Sequence, residues 1–204
     1  FLYMMKRVQS NQSSDIILPS NETRKFSGGT LENNIKYVNI EDKSLEKSSL
    51  IVSVNVGSIA ENLEFQGLAH FLEHMLFLGS KKYPNESYFD DFLSKNGGYS
   101  NAYTDTYQTV YYFSVLDNSF EKCIDIMSRF FIDPLFDKNS VKRELNAIHS
   151  EHQKNINSDV WIIDHFLNIL AKKDSHINQF ETGSKDTLNK PNIRKKMIEF
   201  YNNF

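Results

Sequence analysis

The sequence predicts an α+β fold, a two-layer sandwich in which helices pack on one face of a sheet. Three observations support this prediction. Segments with the two-residue alternation of strands come first along the 204-residue chain, helix-period segments follow, and a strand-like pair interrupts the helices as a hairpin. With 40% hydrophobic and 13% aromatic residues, the chain has enough apolar surface to bury a core.

The predicted strands are alternating segments rich in β-branched and aromatic residues. A turn-like Glu32-Asn33-Asn34 separates the first two, which are expected to form a hairpin, and the last two are expected to form another. The five predicted strands are Lys25–Leu31, Ile35–Glu41, Leu50–Val56, Tyr99–Thr104 and Thr109–Leu116.

The predicted helices follow from apolar residues spaced three and four apart. The first is apolar on nearly every face, which predicts burial on all sides rather than along one stripe. The six predicted helices are Gln66–Leu78, Glu86–Lys95, Asn118–Ile132, Lys138–Lys154, Ser158–Leu170 and Pro191–Tyr201. Residues 1–22 are polar, show no sustained period and are expected to form an N-terminal arm, so the predicted domain covers residues 23–204.

Charge and hydropathy exclude some classes of partner. The formal net charge is −3, from 23 basic and 26 acidic residues, so there is no positive excess to neutralise nucleic acid. No stretch reaches the roughly 18 consecutive apolar residues of a membrane span. The first residues lack an apolar core followed by a cleavage site, so no signal peptide is expected and a cytoplasmic location is favoured.

The segment His70-Phe71-Leu72-Glu73-His74 carries the clearest chemical signal. On a helix, Glu73 lies about 60° to one side of His70 and His74 about 40° to the other, so all three side chains share one narrow face. Two histidines four residues apart give zinc two nitrogen ligands, and a carboxylate beside them can take a proton from water. Because the rest of residues 67–78 is apolar, burying these three groups without partners would cost several kcal/mol.

A catalytic zinc usually has three protein ligands, so a third is expected elsewhere. Glu144 and Glu151 lie two helical turns apart beside the apolar stripe of the predicted helix 138–154. From spacing, either is the ligand, with the other holding a metal-bound histidine. His149 and His152 are rivals with weaker support, because His149 points off the stripe and His152 fits as a packed histidine.

These segments resemble the insulinase (pitrilysin-type) family of zinc peptidases, in particular its insulysin branch. HFLEHMLFLGSKKYP is similar to the family's metal helix, and KRELNAIHSEHQKN is similar to its second metal helix. Glu151 follows His74 by 77 residues, close to the family spacing. The resemblance implies one Zn²⁺ per chain held by His70, His74 and Glu151. It also implies Glu73 as general base and Glu144 as a supporting acid.

The resemblance also covers the segment GGYSNAYTDTYQTVYYFSV, similar to the family's active-site edge strand. It implies a zinc-dependent endopeptidase that acts on unfolded peptides, and it implies that this chain is the first of several homologous domains, whose partners are the other domains in the same chain or in a second subunit. The residues it implies for substrate binding are Ser100, Asn101, Ala102, Tyr103 and Trp161.

Two other functions stay open from the sequence. A non-catalytic scaffold or regulatory domain of the same family would need a partner half for activity, although such members typically lack motif residues and all four are present here. The second alternative is a lyase with an inverted histidine motif that acts on sulfur-ribosyl compounds. Such lyases complete the metal site with a cysteine. The single cysteine, Cys123, lies in a predicted helix among apolar residues and is expected to be buried and unreactive.

Overall fold

The computed structural model describes residues 17–173, 175 and 177–204. Residues 1–16 of the predicted arm lie outside the described residues, and residues 17–22 carry no helix or strand. The remainder forms the predicted α+β sandwich, in which the strands divide into two separate sheets.

The first sheet is the predicted N-terminal hairpin. Strand β1 (Lys25–Thr30) pairs antiparallel with β2 (Lys36–Glu41). Asn34 in the connecting turn has a φ of 66°, a backbone conformation that asparagine tolerates better than most residues. Most side chains of β2 are exposed, so this hairpin lies at the margin of the core.

The second sheet has three antiparallel strands in the order β3 (Lys47–Val54), β5 (Thr109–Leu116), β4 (Tyr99–Thr104). The predicted hairpin of β4 and β5 is confirmed, and β3 joins β5 rather than β2. One face of this sheet packs on helices, with Phe113 and Val115 fully buried, while Ile51 on the other face is 70% exposed. This asymmetry confirms the two-layer arrangement.

The described residues contain seven α-helices, and the helices with buried residues form the layer on the packed face of the sheet. The predicted helices are present with ends shifted by at most four residues. The predicted helix 118–132 ends as a 3₁₀ turn, and a short helix at residues 185–188 was not predicted. The helices are α1 (Leu68–Leu76), α2 (Tyr88–Lys95), α3 (Asp117–Ser128), α4 (Lys138–Asn155), α5 (Asp159–Leu170), α6 (Lys185–Leu188) and α7 (Ile193–Asn203).

Helix α1 occupies the centre of the molecule. It contacts β4, β5, α4 and α7, and seven of its nine residues are buried. Phe71 is fully buried and Met75 is 1% exposed, as the apolar pattern predicted. The two residues left partly open are His70 and His74, so among the described residues the packing around α1 is incomplete only on its histidine face.

Helix α5 differs from the others because it has an apolar sequence and no buried residue. Val160, Ile163 and Leu170 are 75%, 59% and 64% exposed. The predicted helix is therefore present, but it lies on the surface instead of adding to the core. Within the described residues, no helix is both long and apolar enough to cross a membrane.

Replacing Phe113 with alanine should lower the free energy of unfolding by about 3–5 kcal/mol, because a fully buried aromatic side chain would leave a cavity between the sheet and the helices. Ile51→Ala on the exposed face of neighbouring β3 is the control and should change stability by less than about 0.5 kcal/mol. Urea unfolding measures both. Equal losses from the two variants would contradict the assignment of the buried face.

Candidate metal centre

His70 and His74 lie one turn apart on α1 with their rings edge to face, 4.6 Å between centroids. Their Nε2 atoms are 3.0 Å from each other. The two imidazole rings converge because residues four apart on a helix project in nearly the same direction.

The hydrogen bonds of both rings fix which nitrogen is free. His70 Nδ1 lies 2.7 Å from the carbonyl oxygen of Thr182, and His74 Nδ1 lies 2.7 Å from a carboxylate oxygen of Glu144. Both oxygens accept, so each Nδ1 donates its proton. In the neutral rings the two unprotonated Nε2 atoms, 3.0 Å apart, then repel each other through their lone pairs. A cation between them would remove this repulsion.

Glu151 completes a group of three potential ligands. Its Oε2 on α4 is 3.7 Å from His70 Nε2 and 3.6 Å from His74 Nε2. Ligand atoms of a tetrahedral zinc site lie about 3.3 Å apart, because zinc–nitrogen and zinc–oxygen bonds are about 2.0–2.2 Å long. The observed triangle of 3.0, 3.6 and 3.7 Å therefore fits such an ion with small adjustments.

Among the described residues, this is the only group of three histidine, cysteine or acidic side chains close enough to share a metal ion. The rival His152 instead packs on Phe180 and lines a cavity of about 310 Å³ beside α5. His149 does not join the group either. Cys123 is fully buried on α3, where burial raises the pKa of its thiol to about 11, so it supplies no ligand for the lyase alternative.

Glu73 is 6% exposed and lies on the same face of α1 as the histidines. The hydroxyl of Thr104 donates a 2.6 Å hydrogen bond to its Oε2. Burial raises the pKa of Glu73 above its usual value, although the Thr104 hydrogen bond and the two imidazoles lower it. A carboxyl group with a raised pKa is better suited to taking up a proton from water than an ordinary exposed glutamate is.

The acidic groups around His74 change its titration. Burial disfavours the charged ring, but the hydrogen bond from Nδ1 to Glu144 and the negative charges of Glu144, Glu73 and Glu151 outweigh it and raise the pKa of His74. The local excess of negative charge is the environment that a divalent cation would complete.

The buried carboxyl group of Glu61 holds the N-terminus of α1. Its two oxygens accept 2.7 Å hydrogen bonds from the backbone N–H groups of Gly67 and Ala69. Gly67, at the helix start, has no side chain to do this, so an acid six residues upstream replaces the usual cap. Glu61 thereby fixes the first turn, from which His70 projects.

The proposed substrate-binding residues fall in two places. Strand β4 pairs with β5 on one side and, within the described residues, leaves its other edge open. Ser100 and Ala102 are half-buried on the helix side of this strand, while Tyr103 is 48% exposed on the other side. Trp161, 45% exposed on α5, lines the cavity with His152 and Phe180 instead of β4.

Thr104, Thr182 and Glu61 were not found by sequence reasoning. Thr104 ends β4 on the same face as Ala102, so the strand alternation could have suggested that it points toward the helices. No such signal marks Thr182 or Glu61. Thr182 acts through its backbone carbonyl, a group that every residue has. Glu61 caps the helix from outside the usual capping positions.

Comparison with known proteins identifies the family. The model of the family described as "Insulinase (Peptidase family M16)" matches residues 36–174, more than half of the chain. The chain belongs to the insulinase family. The similarity of its two metal-helix segments to those of the family therefore reflects shared ancestry with a family of peptidases.

The relatives agree with this assignment. The chain is 41% identical over 190 residues to "Insulin-degrading enzyme homolog" of Dictyostelium discoideum and 39% identical over 186 residues to "Insulin-degrading enzyme" of Homo sapiens. These matches cover 93% and 88% of the chain but only 20% and 18% of the relatives. The crystal structure of pitrilysin superimposes with a TM-score of 0.90 at 28% identity, over 94% of this chain and 21% of that one, which confirms the predicted fold.

Glu61 should make the stability of the metal-free chain depend on pH. Burial raises its pKa to about 8 from an ordinary value of 4.5, and the charge of Glu181 adds to this rise, while the amide donors lower it. Folded Glu61 then keeps a proton that the unfolded chain loses, so its contribution to stability is full below about pH 4.5 and disappears as the pH rises toward 8.

Compared with wild type, Glu61→Gln should show a shallower fall of unfolding free energy across this window, by at most about 1.4 kcal/mol per pH unit, the limit for one proton. Urea titrations in chelator at several pH values give the two slopes. Equal slopes of unfolding free energy against pH in wild type and Glu61→Gln would mean that folding does not change the pKa of Glu61. The slope is compared, and not the absolute stability, because the amide also loses one of the two backbone contacts.

Proposed function

We propose that this chain is the zinc-binding catalytic domain of an endopeptidase that hydrolyses unfolded peptides. The observation that carries the proposal is the convergence of His70 Nε2, His74 Nε2 and Glu151 Oε2 within 4.8 Å of one another, with the buried carboxyl of Glu73 on the same helix face. Membership of a zinc-dependent peptidase family supports the choice of metal.

In this proposal, His70, His74 and Glu151 hold one Zn²⁺, and Glu144 orients His74 through its Nδ1 proton. A bound zinc ion would polarise the scissile carbonyl and lower the pKa of a water molecule. Glu73 accepts a proton from the attacking water and later returns it to the nitrogen of the leaving amine. The hydroxyl of Thr104 fixes the orientation of the Glu73 carboxylate by donating a hydrogen bond to Oε2.

The open edge of β4 is the proposed peptide site. Backbone groups of Ser100, Asn101 and Ala102 would pair with an extended substrate as an added strand, which recognises backbone more than sequence. Tyr103 and Trp161 would contact substrate side chains. Strand addition requires an unfolded peptide, because the backbone groups of a folded peptide are already hydrogen-bonded and cannot pair with β4.

We also propose that residues 23–204 form one of several homologous domains. The chain spans about a fifth of the length of the curated relatives that it matches, which leaves room for further domains in the parent protein or a partner subunit. Groups from those domains would help to stabilise the transition state, so zinc binding and turnover are separate questions for this chain.

The first test is the metal content of the purified chain, measured by mass spectrometry. Wild type should contain one zinc ion per chain, and Glu151→Gln should lose it or bind it at least about 10-fold more weakly, because a neutral amide is a poor zinc ligand. Glu121→Gln, an exposed position on α3, is the matched control. A Glu151→Gln variant with a full complement of zinc would exclude Glu151 as a ligand.

The second test concerns Glu73. Glu73→Gln should keep the zinc content of wild type and lower the rate of hydrolysis of a quenched fluorescent oligopeptide by about 10²–10⁴-fold, the usual contribution of a general base. Loss of zinc in this variant, or an unchanged rate, would contradict its role. A zinc-loaded wild type that does not cleave the peptide would favour the alternative in which this domain, as a scaffold or regulatory domain, needs a partner half for activity.

A further inference from the structure

A loop from the C-terminal part of the chain lies directly on the N-terminus of α1. Gly67 and Gly183 both have a positive φ, and a Cβ atom built on Gly67 would lie 2.2 Å from the Cα atom of Gly183. The two backbones therefore touch, with no space for a side chain between them. This contact brings the neighbouring carbonyl of Thr182 to His70 Nδ1.

The side chain of Glu181 anchors the other end of this loop. Its Oε1 accepts hydrogen bonds from the hydroxyls of Ser58, at 2.6 Å, and Thr106, at 2.8 Å. Ser58 is fully buried, and its own backbone is tied to the β4–β5 turn, since its N–H donates to the carbonyl of Asp105. The carboxylate is thus attached to a rigid part of the molecule.

Thr182 is consequently held on both sides. Glu181 fixes the residue before it, and the contact of Gly183 with Gly67 fixes the residue after it. Since the Thr182 carbonyl accepts the Nδ1 proton of His70, its position decides the angle of the imidazole ring and keeps Nε2 free.

We propose that Glu181 is a positioning residue for His70, acting through the Thr182 carbonyl. The inference rests on the proposed zinc site, in which His70 Nε2 is a ligand. Groups that orient a ligating histidine typically change metal affinity by about 10–100-fold when they are removed. Without the Glu181 carboxylate, the loop would lose the two hydroxyl donors that hold it, and the Thr182 carbonyl would be held only by the Gly183–Gly67 contact on its other side.

The same carboxylate connects His70 with the hairpin that carries the proposed peptide site. Thr106 belongs to the turn between β4 and β5, and Thr104, two residues earlier, holds Glu73. The Glu181 carboxylate therefore joins the loop that contacts His70 to the hairpin whose β4 strand contacts the proposed general base.

The test compares Glu181→Ala, Glu181→Gln and the exposed control Glu121→Ala in the purified chain. Zinc affinity is measured by competition with a chelating dye, and ligand geometry by the d–d absorption of the cobalt-substituted protein. Glu181→Ala should bind zinc about 10–100-fold more weakly and alter the cobalt spectrum. Glu181→Gln should stay within about threefold of wild type, since its amide oxygen still accepts both hydroxyls.

Unchanged zinc affinity and an unchanged cobalt spectrum in Glu181→Ala would overturn the role, even if thermal stability fell, because a purely structural residue would affect folding alone. If Glu181→Ala does not fold, Thr106→Val removes one of the two donors and leaves Glu181 in place. That variant should weaken zinc binding several-fold, and no effect would overturn the proposal. If wild type binds no zinc, the proposed zinc site itself is wrong. If wild type binds zinc and the variants bind it equally well, only the role of Glu181 is wrong.

Discussion

Three titratable side chains in one buried helix impose the constraint on which the rest of the structure depends. Every other residue of α1 is apolar, so His70, Glu73 and His74 lie where an unpaired polar group costs several kcal/mol. Each has a polar partner from another segment, namely Thr182, Thr104 and Glu144. These partners are 112, 31 and 70 residues away in sequence, so the chain must close around α1 before the three groups are satisfied.

The features that could be predicted from sequence are those set by local periodicity. Strand alternation and helical spacing give the elements of the sandwich to within a few residues, because each pattern reflects one buried face. The spacing of His70, Glu73 and His74 likewise places them on one face without any tertiary information. Helix α5 marks the limit of this reasoning, since an apolar helical pattern predicts a helix but does not say whether another surface covers it.

Tertiary contacts distinguish two residues that spacing leaves equivalent. Glu144 and Glu151 lie on the same side of α4, and periodicity treats them as equivalent. In the fold, Glu144 reaches the Nδ1 side of His74, while Glu151 faces both Nε2 atoms. The distinction depends on how α4 crosses α1, which no local pattern encodes. The carbonyl of Thr182 is a further case, because backbone groups leave no trace in a sequence.

The β4–β5 hairpin gives these separate contacts a common frame. It carries Thr104 against Glu73, Thr106 against Glu181, and the open edge of β4. Peptide hydrolysis requires the attacking water, the base and the scissile carbonyl to be aligned within a fraction of an ångström. A peptide added to β4 would share a rigid sheet with the residue that directs Glu73, so its carbonyl would be set relative to the base by the register of the strand. The spacing along β4 would then determine which peptide bond is presented.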